Sequence, residues 1–325
     1  GGRTKELEKR TKVKSRVMAN ALGELMADAS RVFVMGHKYP DMDCIGAAAG
    51  VCAMARKKGA PVHIIKEAGQ NPASEMSERL GGLGEYKDVF PSQQDAILLA
   101  DASCLLVVVG ANRPEQVVSQ DLLEAVHKVA VIDPPRRASS YIADAALNFH
   151  EPYASSASEL VTELLQYLLE PADLLKTEAE ALLAGMVLDT KQFTMRTGSR
   201  TFEAAAFLRR SGADTGDVKK LFQNDLEGTI AKYDIIQNAK MYHEGIAVAK
   251  VDHTVGRITA AQAADELLNI SGIDTSFVLF PDQEGRVILS ARSMGDVNVQ
   301  GVLEKLGGGA NAAHLMIRRP GQVLS

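Results

Sequence analysis

Short apolar segments alternate with helical segments through the first half of this chain. The predicted strands are residues 31–35, 61–65, 104–109 and 128–132, and the predicted helices are 44–58, 114–126 and 158–169. Strands that are apolar at nearly every position are buried on both faces, as in a parallel sheet covered by helices. The sequence therefore predicts an α/β fold whose first domain is built on a parallel sheet.

A second, smaller pattern begins near residue 245. Its predicted elements are a strand at 246–251, a helix at 260–269 and two strands at 275–281 and 287–291, joined by a hairpin turn. We therefore predict four parts along the chain. They are a helical lead-in at 1–28, a parallel-sheet domain at 29–223 that is helical over 170–223, a linker at 224–244 and a smaller α/β domain at 245–325.

Charge and composition argue against several classes of partner. The 36 Lys and Arg residues against 41 Asp and Glu give a formal net charge of −5, which leaves no basic surface for duplex nucleic acid. No run of about 18 apolar residues is present, so we expect no membrane contact by this segment. Cys44, Cys52 and Cys104 lie in apolar surroundings without metal-type spacing, which favours buried, reduced thiols and a cytoplasmic setting.

The first predicted strand leads directly into an imidazole and two carboxylates, those of His37, Asp41 and Asp43. Open α/β sheets bind ligands where their parallel strands end, and these donor types suit a hard or borderline divalent cation. A lone histidine in a loop more often has a structural role. On spacing alone, a metal site and a structural loop both stay open.

Two further carboxylates stand at the ends of predicted elements. Asp133 follows the fourth strand, where it fits either a position that supports metal ligands or a turn cap. Asp189 ends an apolar helix, where the helix dipole disfavours a carboxylate unless a cation compensates. In a parallel sheet, the groups that follow the strands converge on one edge.

Several motifs together carry a family resemblance. They are residues 36–43, 106–109 with 112–114, 131–133 with 136–137, 151–156, 188–190, and 289–293 before 298–300. Over nearly its whole length the chain resembles the DHH phosphoesterase superfamily with its DHH-associated C-terminal domain. It is most similar to the catalytic module of GdpP-type cyclic-di-AMP phosphodiesterases, which hydrolyse cyclic di-AMP to the linear dinucleotide.

The resemblance implies a hydrolase that uses two manganese ions. By this resemblance His37 and Asp41 bind one ion, and Asp43 and Asp189 bind the other. A water or hydroxide between the ions then attacks phosphorus. Asp133 would support these ligands without binding metal itself.

The resemblance also implies a substrate wall and partners. Ser155, Ser156 and Arg292 become candidates for contacts to phosphate or nucleotide. The expected ligand is a cyclic dinucleotide or a short linear dinucleotide, and a homodimer is possible. Full-length relatives are expected to be membrane-anchored through upstream segments, with this module on the cytoplasmic face.

Four positions depart from the family pattern. Gly110 stands where the family has an aspartate that bridges both ions, and Pro134 and Pro135 stand where it has two histidines. Gly309 is followed by alanine, where the family has a histidine. Because metal-binding groups are missing, we expect one manganese ion or none, and turnover that is impaired or lost.

Three function hypotheses follow from these observations. The first is a cyclic-di-AMP phosphodiesterase module with weak or absent catalysis. The second is a nucleotide-binding or regulatory module that does not hydrolyse its ligand. The third is a short-oligonucleotide phosphoesterase, which the net charge and the aromatic content of 5% disfavour.

Overall fold

The computed structural model describes residues 2–134, 142–294 and 314–317. The chain divides into two compact units, Gly1–Phe222 and Gln223–Ser325. Each unit has its own sheet and its own apolar core. None of the described helices combines the length and the apolar character that are needed to cross a bilayer.

The first unit is built on a parallel sheet. Its strands are β1 Val32–Met35, β2 Val62–Ile65, β3 Leu105–Val109, β4 Lys128–Ile132 and β5 Leu147–Phe149. Its helices are α1 Gly2–Asp28, α2 Met42–Lys57, α3 Ser74–Gly81, α4 Gln93–Leu99, α5 Gln120–Ala125, α6 Ala157–Leu165, α7 Lys176–Asp189, α8 Ser199–Arg210 and α9 Thr215–Lys220. The strand order is β2-β1-β3-β4-β5, and every neighbouring pair is parallel. The predicted α/β fold is therefore confirmed.

Apolar side chains cover both faces of this sheet. In β1, Val32 and Val34 join the core layer that contains α2, α6 and α7. Phe33 and Met35 point the other way, into the layer that contains α4 and α5. Successive side chains of a strand alternate between faces, so a strand buried on both sides has to be apolar throughout.

Some elements of the first unit are not predicted from the sequence. They are α3, α4 and β5, a strand of three residues whose middle residue, Asn148, is exposed. The helix predicted at 114–126 is wrong in its first half. There the chain makes a 3-10 turn at Pro114–Gln116, and α5 begins only after Ser119, whose Oγ accepts a hydrogen bond from Leu122 N at 3.1 Å.

Helices α2 and α7 approach each other closely through glycines. A Cβ atom added to Gly46 would lie 2.9 Å from the carbonyl carbon of Ala181 in α7, and one added to Gly185 would lie 2.9 Å from Asp43 Cα in α2. Both positions are too crowded for any side chain. The first turn of α2 is therefore held against α7 by direct backbone contact.

The second unit contains a mixed sheet and a short helical layer. Its elements are α10 Leu226–Gln237, β6 Ala239–His243, β7 Gly245–Lys250, α11 Arg257–Leu267, β8 Ile273–Pro281, β9 Val287–Ser293 and β10 His314–Ile317. The strand order is β10-β9-β8-β7-β6, in which β7 and β8 are parallel and the other pairs are antiparallel. This agrees with the smaller α/β domain that the sequence predicts.

The segment expected to be a linker has regular structure. Residues 226–237 form α10, and residues 239–243 form β6 at the edge of the second sheet. The apolar residues of α10 do not mark one buried face of a helix. Leu226, Ile230 and Tyr233 are exposed, whereas Ile235 is buried in the core of the second unit. A helix with so little buried surface has a weak amphipathic signal.

Candidate functional site

The strand order places a crevice beside the end of β1. Strand β1 lies between β2 and β3. The connection from β1 leads to β2 on one side of β1, and the connection from β2 leads to β3 on the other side. In open α/β sheets, ligands bind outside the carboxyl ends of the strands at this switch point. Gly36 and His37 follow β1, and Gly110 follows β3, so these residues border the crevice.

His37 is held by the segment that precedes α5. Lys38 N donates to Gln116 O at 2.7 Å, and His37 and Val117 form an antiparallel bridge. Within the loop, His37 Nδ1 accepts a hydrogen bond from Tyr39 N at 3.0 Å. In a neutral ring the proton then lies on Nε2, so a cation at Nε2 requires the proton to move and the Tyr39 contact to break.

Asp41 and Asp43 begin α2 and have different partners. Asp41 is the N-cap residue, and its Oδ1 accepts a hydrogen bond from Cys44 N at 3.0 Å. Asp43 is almost fully buried, with 5% of its surface exposed, and it accepts from Ser158 N at 2.8 Å and from Ala157 N at 3.1 Å. Its carboxylate therefore lies at the N-terminus of α6, where backbone N–H groups favour an anion.

Three carboxylates crowd this part of the crevice. Burial raises the pKa of Asp43 well above its ordinary value, and the charges of Asp189 and Asp41 raise it further. Hydrogen bonds from Ser158 act in the opposite direction and lower this pKa. A cation among the three groups would reduce their repulsion.

Asp189 ends α7 and is followed by an unusual turn. Lys191, Gln192 and Phe193 have φ angles of 46°, 58° and 61°, in the left-handed region that residues other than glycine rarely adopt. Thr190 anchors the turn, because its Oγ1 donates to a backbone oxygen of α7 at 2.6 Å and accepts from Phe193 N at 2.9 Å. Three successive residues of this kind concentrate backbone strain next to a candidate ligand. Sequence patterns for turns rely on glycine and asparagine and give no sign of it.

Asp133 lies at the same edge of the sheet and is tied to its neighbours. Asn112 Nδ2 donates to Asp133 Oδ2 at 3.1 Å, and His150 Nδ1 donates to Asp133 O at 2.9 Å. Asp133 is buried. Its contacts suit a residue that fixes the strand ends, and its role toward a metal stays a prediction.

Comparisons with known proteins decide the family. The N-terminal domain of the DHH family matches residues 31–186, and the DHHA1 domain matches residues 243–323. The chain therefore contains the N-terminal domain of the DHH family and a DHHA1 domain. It is 40% identical over 319 residues to the cyclic-di-AMP phosphodiesterase PdeA of Listeria monocytogenes, which covers 97% of this chain and 48% of that protein.

Other relatives agree with this assignment. The cyclic-di-AMP phosphodiesterase GdpP of Geobacillus thermodenitrificans is 42% identical over 316 residues, which cover 96% of this chain and 48% of that protein. The chain thus spans about half the length of the curated relatives that it matches. An exopolyphosphatase-related protein from Bacteroides fragilis has the same fold, with a TM-score of 0.77 at 18% identity over 94% of this chain and 92% of that one.

The DHH resemblance gives meaning to the positions that depart from it. Gly110, where the resemblance leads us to expect a bridging aspartate, has a φ of +67°. A Cβ atom added there would lie 3.4 Å from Cys44 Sγ and 3.8 Å from Ala157 Cβ, so it points toward the N-terminus of α6, where Asp43 is bound. Pro134 is buried directly after Asp133, whereas Pro135 and Gly309 lie outside the described residues.

Ser155 and Ser156 have internal partners. Ser156 Oγ accepts a hydrogen bond from Glu159 N at 3.0 Å and caps α6, and Ser155 Oγ donates to Glu159 Oε1 at 2.8 Å. Both serines are fully buried. Ser155 has a single hydroxyl hydrogen, so a bond from it to phosphate would replace its bond to Glu159. The spacing of Ser156 and Glu159 is a helix N-terminus signature, which could have predicted the cap from sequence. The substrate role of these serines stays a prediction.

Arg292 lies in the second unit, on β9. Its Nε donates to Asp265 Oδ1 at 3.0 Å, and its Nη1 donates to Ala291 O at 2.9 Å. The guanidinium therefore braces β9 against α11. Its proposed contact to substrate is an expectation from the DHH resemblance and stays a prediction.

The described residues supply suitable donor types for a metal ion but do not bring a full ligand set together. Imidazole and carboxylates are the right donors for manganese. Yet the described residues contain no group of three or more His, Cys, Asp or Glu side chains arranged to hold one ion. Asp41 and Asp43 cap helices, His37 accepts from its own loop, and Gly110 supplies no donor.

Proposed function

We propose that this chain is a cyclic-di-AMP phosphodiesterase-type module that binds the cyclic dinucleotide or its short linear form and hydrolyses it weakly or not at all. Support for the ligand comes from the 40% and 42% identity to cyclic-di-AMP phosphodiesterases along nearly the whole chain. The same relatives are about twice as long, so their full activity and any membrane anchoring are also proposals here.

Gly110 is the observation that carries the proposal of impaired turnover. In the family, two ions share an aspartate at this position, and the ions acidify water and neutralise charge on phosphorus when they are bound. A Cβ atom at Gly110 would face Cys44 Sγ and Ala157 Cβ, next to the start of α6, but glycine provides no side chain there. Two dications without that bridge would repel each other, which supports one ion or none.

The retained groups support binding more than chemistry. Asp41, Asp43 and Asp189 still crowd the crevice, and the loop that carries His37 is fixed by backbone contacts. The N-terminus of α6 is already satisfied by the carboxylate of Asp43. We infer that a single manganese ion, if bound, would orient a phosphate among these groups.

A non-hydrolysing nucleotide-binding or regulatory module is the second candidate. It is supported by Gly110, which supplies no side chain where the DHH resemblance expects an aspartate shared by two ions. The short-oligonucleotide hypothesis stays a prediction of the sequence. A homodimer and a cytoplasmic setting, which the resemblance implies, stay proposals as well.

One experiment tests the proposed ligand and the proposed loss of turnover. The purified chain is incubated with manganese and cyclic di-AMP, the linear dinucleotide is measured by liquid chromatography, and binding is measured by calorimetry. We expect saturable binding with little product. Robust product formation that is lost in Asp189→Asn would overturn the impaired turnover. No binding would overturn both candidates.

A further inference from the structure

An open cleft lies next to His37, beyond the carboxyl ends of β1 and its neighbour β2. Its volume is about 570 Å³, and it extends from the end of β1 across the end of β2 to α3 and the start of α4. Clefts of about 300–1,000 Å³ at the carboxyl ends of parallel strands commonly hold small ligands. None of the candidate roles described so far uses this space beyond His37.

The lining of the cleft combines an apolar floor with a polar rim. Ile45 and Ala48 of α2 and Ile64 of β2 provide aliphatic surface. Gln70 and Gln94 provide exposed amide groups at the rim. Such a lining suits a flat group that has apolar faces and a hydrogen-bonding edge.

We propose that this cleft binds one nucleobase of the dinucleotide, as a base subsite next to the candidate metal ligands. The inference rests on the proposed dinucleotide ligand. Aliphatic side chains pack on the faces of a base, and an amide offers one acceptor and two donors that match the edge of adenine. His37 belongs both to the cleft and to the candidate ligand set, so the phosphate attached to such a base would lie beside Asp41 and Asp43.

A cation at the mouth of the cleft fits the same ligand. Lys66 follows β2, and its ammonium lies 5.1 Å from the centre of the Phe90 ring. Gln93 Nε2 donates to Lys66 O at 3.2 Å, which ties α4 to the end of β2. The rim thus offers one ammonium for a phosphate, while the carboxylates of Glu67 and Glu78 in the same lining disfavour a second anion there.

A matched pair of tryptophan variants tests the subsite. Ala68 is exposed and lines the cleft. Ala102 is exposed in the turn before β3, at the amino ends of the strands and thus at the opposite end from the cleft. Ala68→Trp places an indole ring at the mouth of the cleft, whereas Ala102→Trp adds the same ring elsewhere. Binding of AMP and of cyclic di-AMP is measured by calorimetry for both variants and for the unsubstituted chain. We expect Ala68→Trp to weaken both ligands by at least about tenfold and Ala102→Trp to leave them unchanged.

The outcomes distinguish this inference from the proposed function. If Ala68→Trp binds cyclic di-AMP as tightly as the unsubstituted chain, the subsite is wrong and dinucleotide binding still stands. If the unsubstituted chain binds AMP but not cyclic di-AMP, and Ala68→Trp loses AMP, the dinucleotide proposal fails and the base site stands. If neither ligand binds, both fail.

Photolabelling provides a second measurement that needs no variant. The unsubstituted chain is irradiated with 8-azido-AMP, and the modified peptides are identified by mass spectrometry. We expect the label within residues 64–78 or 91–94, which contain most of the lining beyond α2. A label confined to other parts of the chain would contradict the subsite.

Discussion

Replacing Gly110 by aspartate supplies the carboxylate that the DHH resemblance expects at this position and tests the proposed role of residue 110. With a φ of +67°, residue 110 is strained by any side chain, at a cost of about 1–2 kcal/mol. Aspartate and asparagine tolerate this conformation better than most residues, and the nearest atom to the new Cβ would be Cys44 Sγ at 3.4 Å, an ordinary contact. Gly110→Asp and the corresponding asparagine variant, Gly110→Asn, are therefore both expected to fold.

Charge distinguishes the two variants. Gly110→Asn has the same shape and the same backbone strain but no charge, so it is the matched control. Without metal, Gly110→Asp adds a fourth negative charge near Asp43 and should be the less stable of the two. With manganese at about 100 times its Kd, linkage adds about 2.7 kcal/mol to the aspartate variant. For a unit of this size, that corresponds to a rise in Tm of roughly 5–10 °C.

Thermal unfolding with and without manganese, together with metal content by mass spectrometry, measures the effect. The aspartate variant should gain both Tm and manganese relative to the asparagine variant. Adding Pro134→His and Pro135→His should raise the manganese content further. Equal manganese responses of Gly110→Asp and Gly110→Asn would refute the assignment of residue 110 as a position that faces a shared cation.

Three further predictions concern the scaffold. Arg56→Met should lower the free energy of unfolding by about 3 kcal/mol, because the fully buried Glu178 side chain loses the guanidinium that binds both of its oxygens. Gly185→Ala should cost about 1–3 kcal/mol, because its Cβ would overlap the neighbouring backbone. Burial and the charge of Arg31 lower the pKa of His63 from its ordinary 6.5, so the folded state binds fewer protons than the unfolded state and loses stability as pH falls below 6.5. His63→Gln should therefore flatten the fall in unfolding free energy between about pH 7.5 and about pH 5.5.

Chemical denaturation measures all three, and each has a comparison. Arg79→Met removes an exposed ion pair and should cost less than about 1 kcal/mol. Gly84→Ala adds a Cβ with no atom within 4 Å and should change little. Parallel pH profiles for His63→Gln and the unsubstituted chain would contradict the third prediction, and an Arg56→Met variant as stable as Arg79→Met would contradict the first.

Much of the first unit follows from local sequence. Strands β1 to β4 are apolar at nearly every position, so burial on both faces can be read from the residues alone. Strand β5 has three residues with Asn148 at its centre, and pairing with β4 makes it a strand. Helix α10 exposes most of its apolar residues, so its pattern lacks the contrast between faces that identifies a helix.

The site was predictable only in part, because some of its contacts come from segments far apart in the sequence. His37, Asp41 and Asp43 follow β1, and their position at the edge of the sheet follows from that strand. The two amides that hold Asp43 come from α6, 114 and 115 residues further along the chain, and no local pattern predicts such a pairing. The left-handed turn after Asp189 likewise depends on Thr190 and on packing rather than on residue type.

The hydrogen bonds between Asp43 and the start of α6 make the position of this carboxylate independent of a bound ion. Backbone amides hold that carboxylate in position, so the architecture does not require an ion to keep its edge intact. Substitutions at the neighbouring positions therefore leave the fold of this edge intact. Under the proposed function, hydrolysis can then be lost separately from ligand binding, and engineering can restore it without rebuilding the fold.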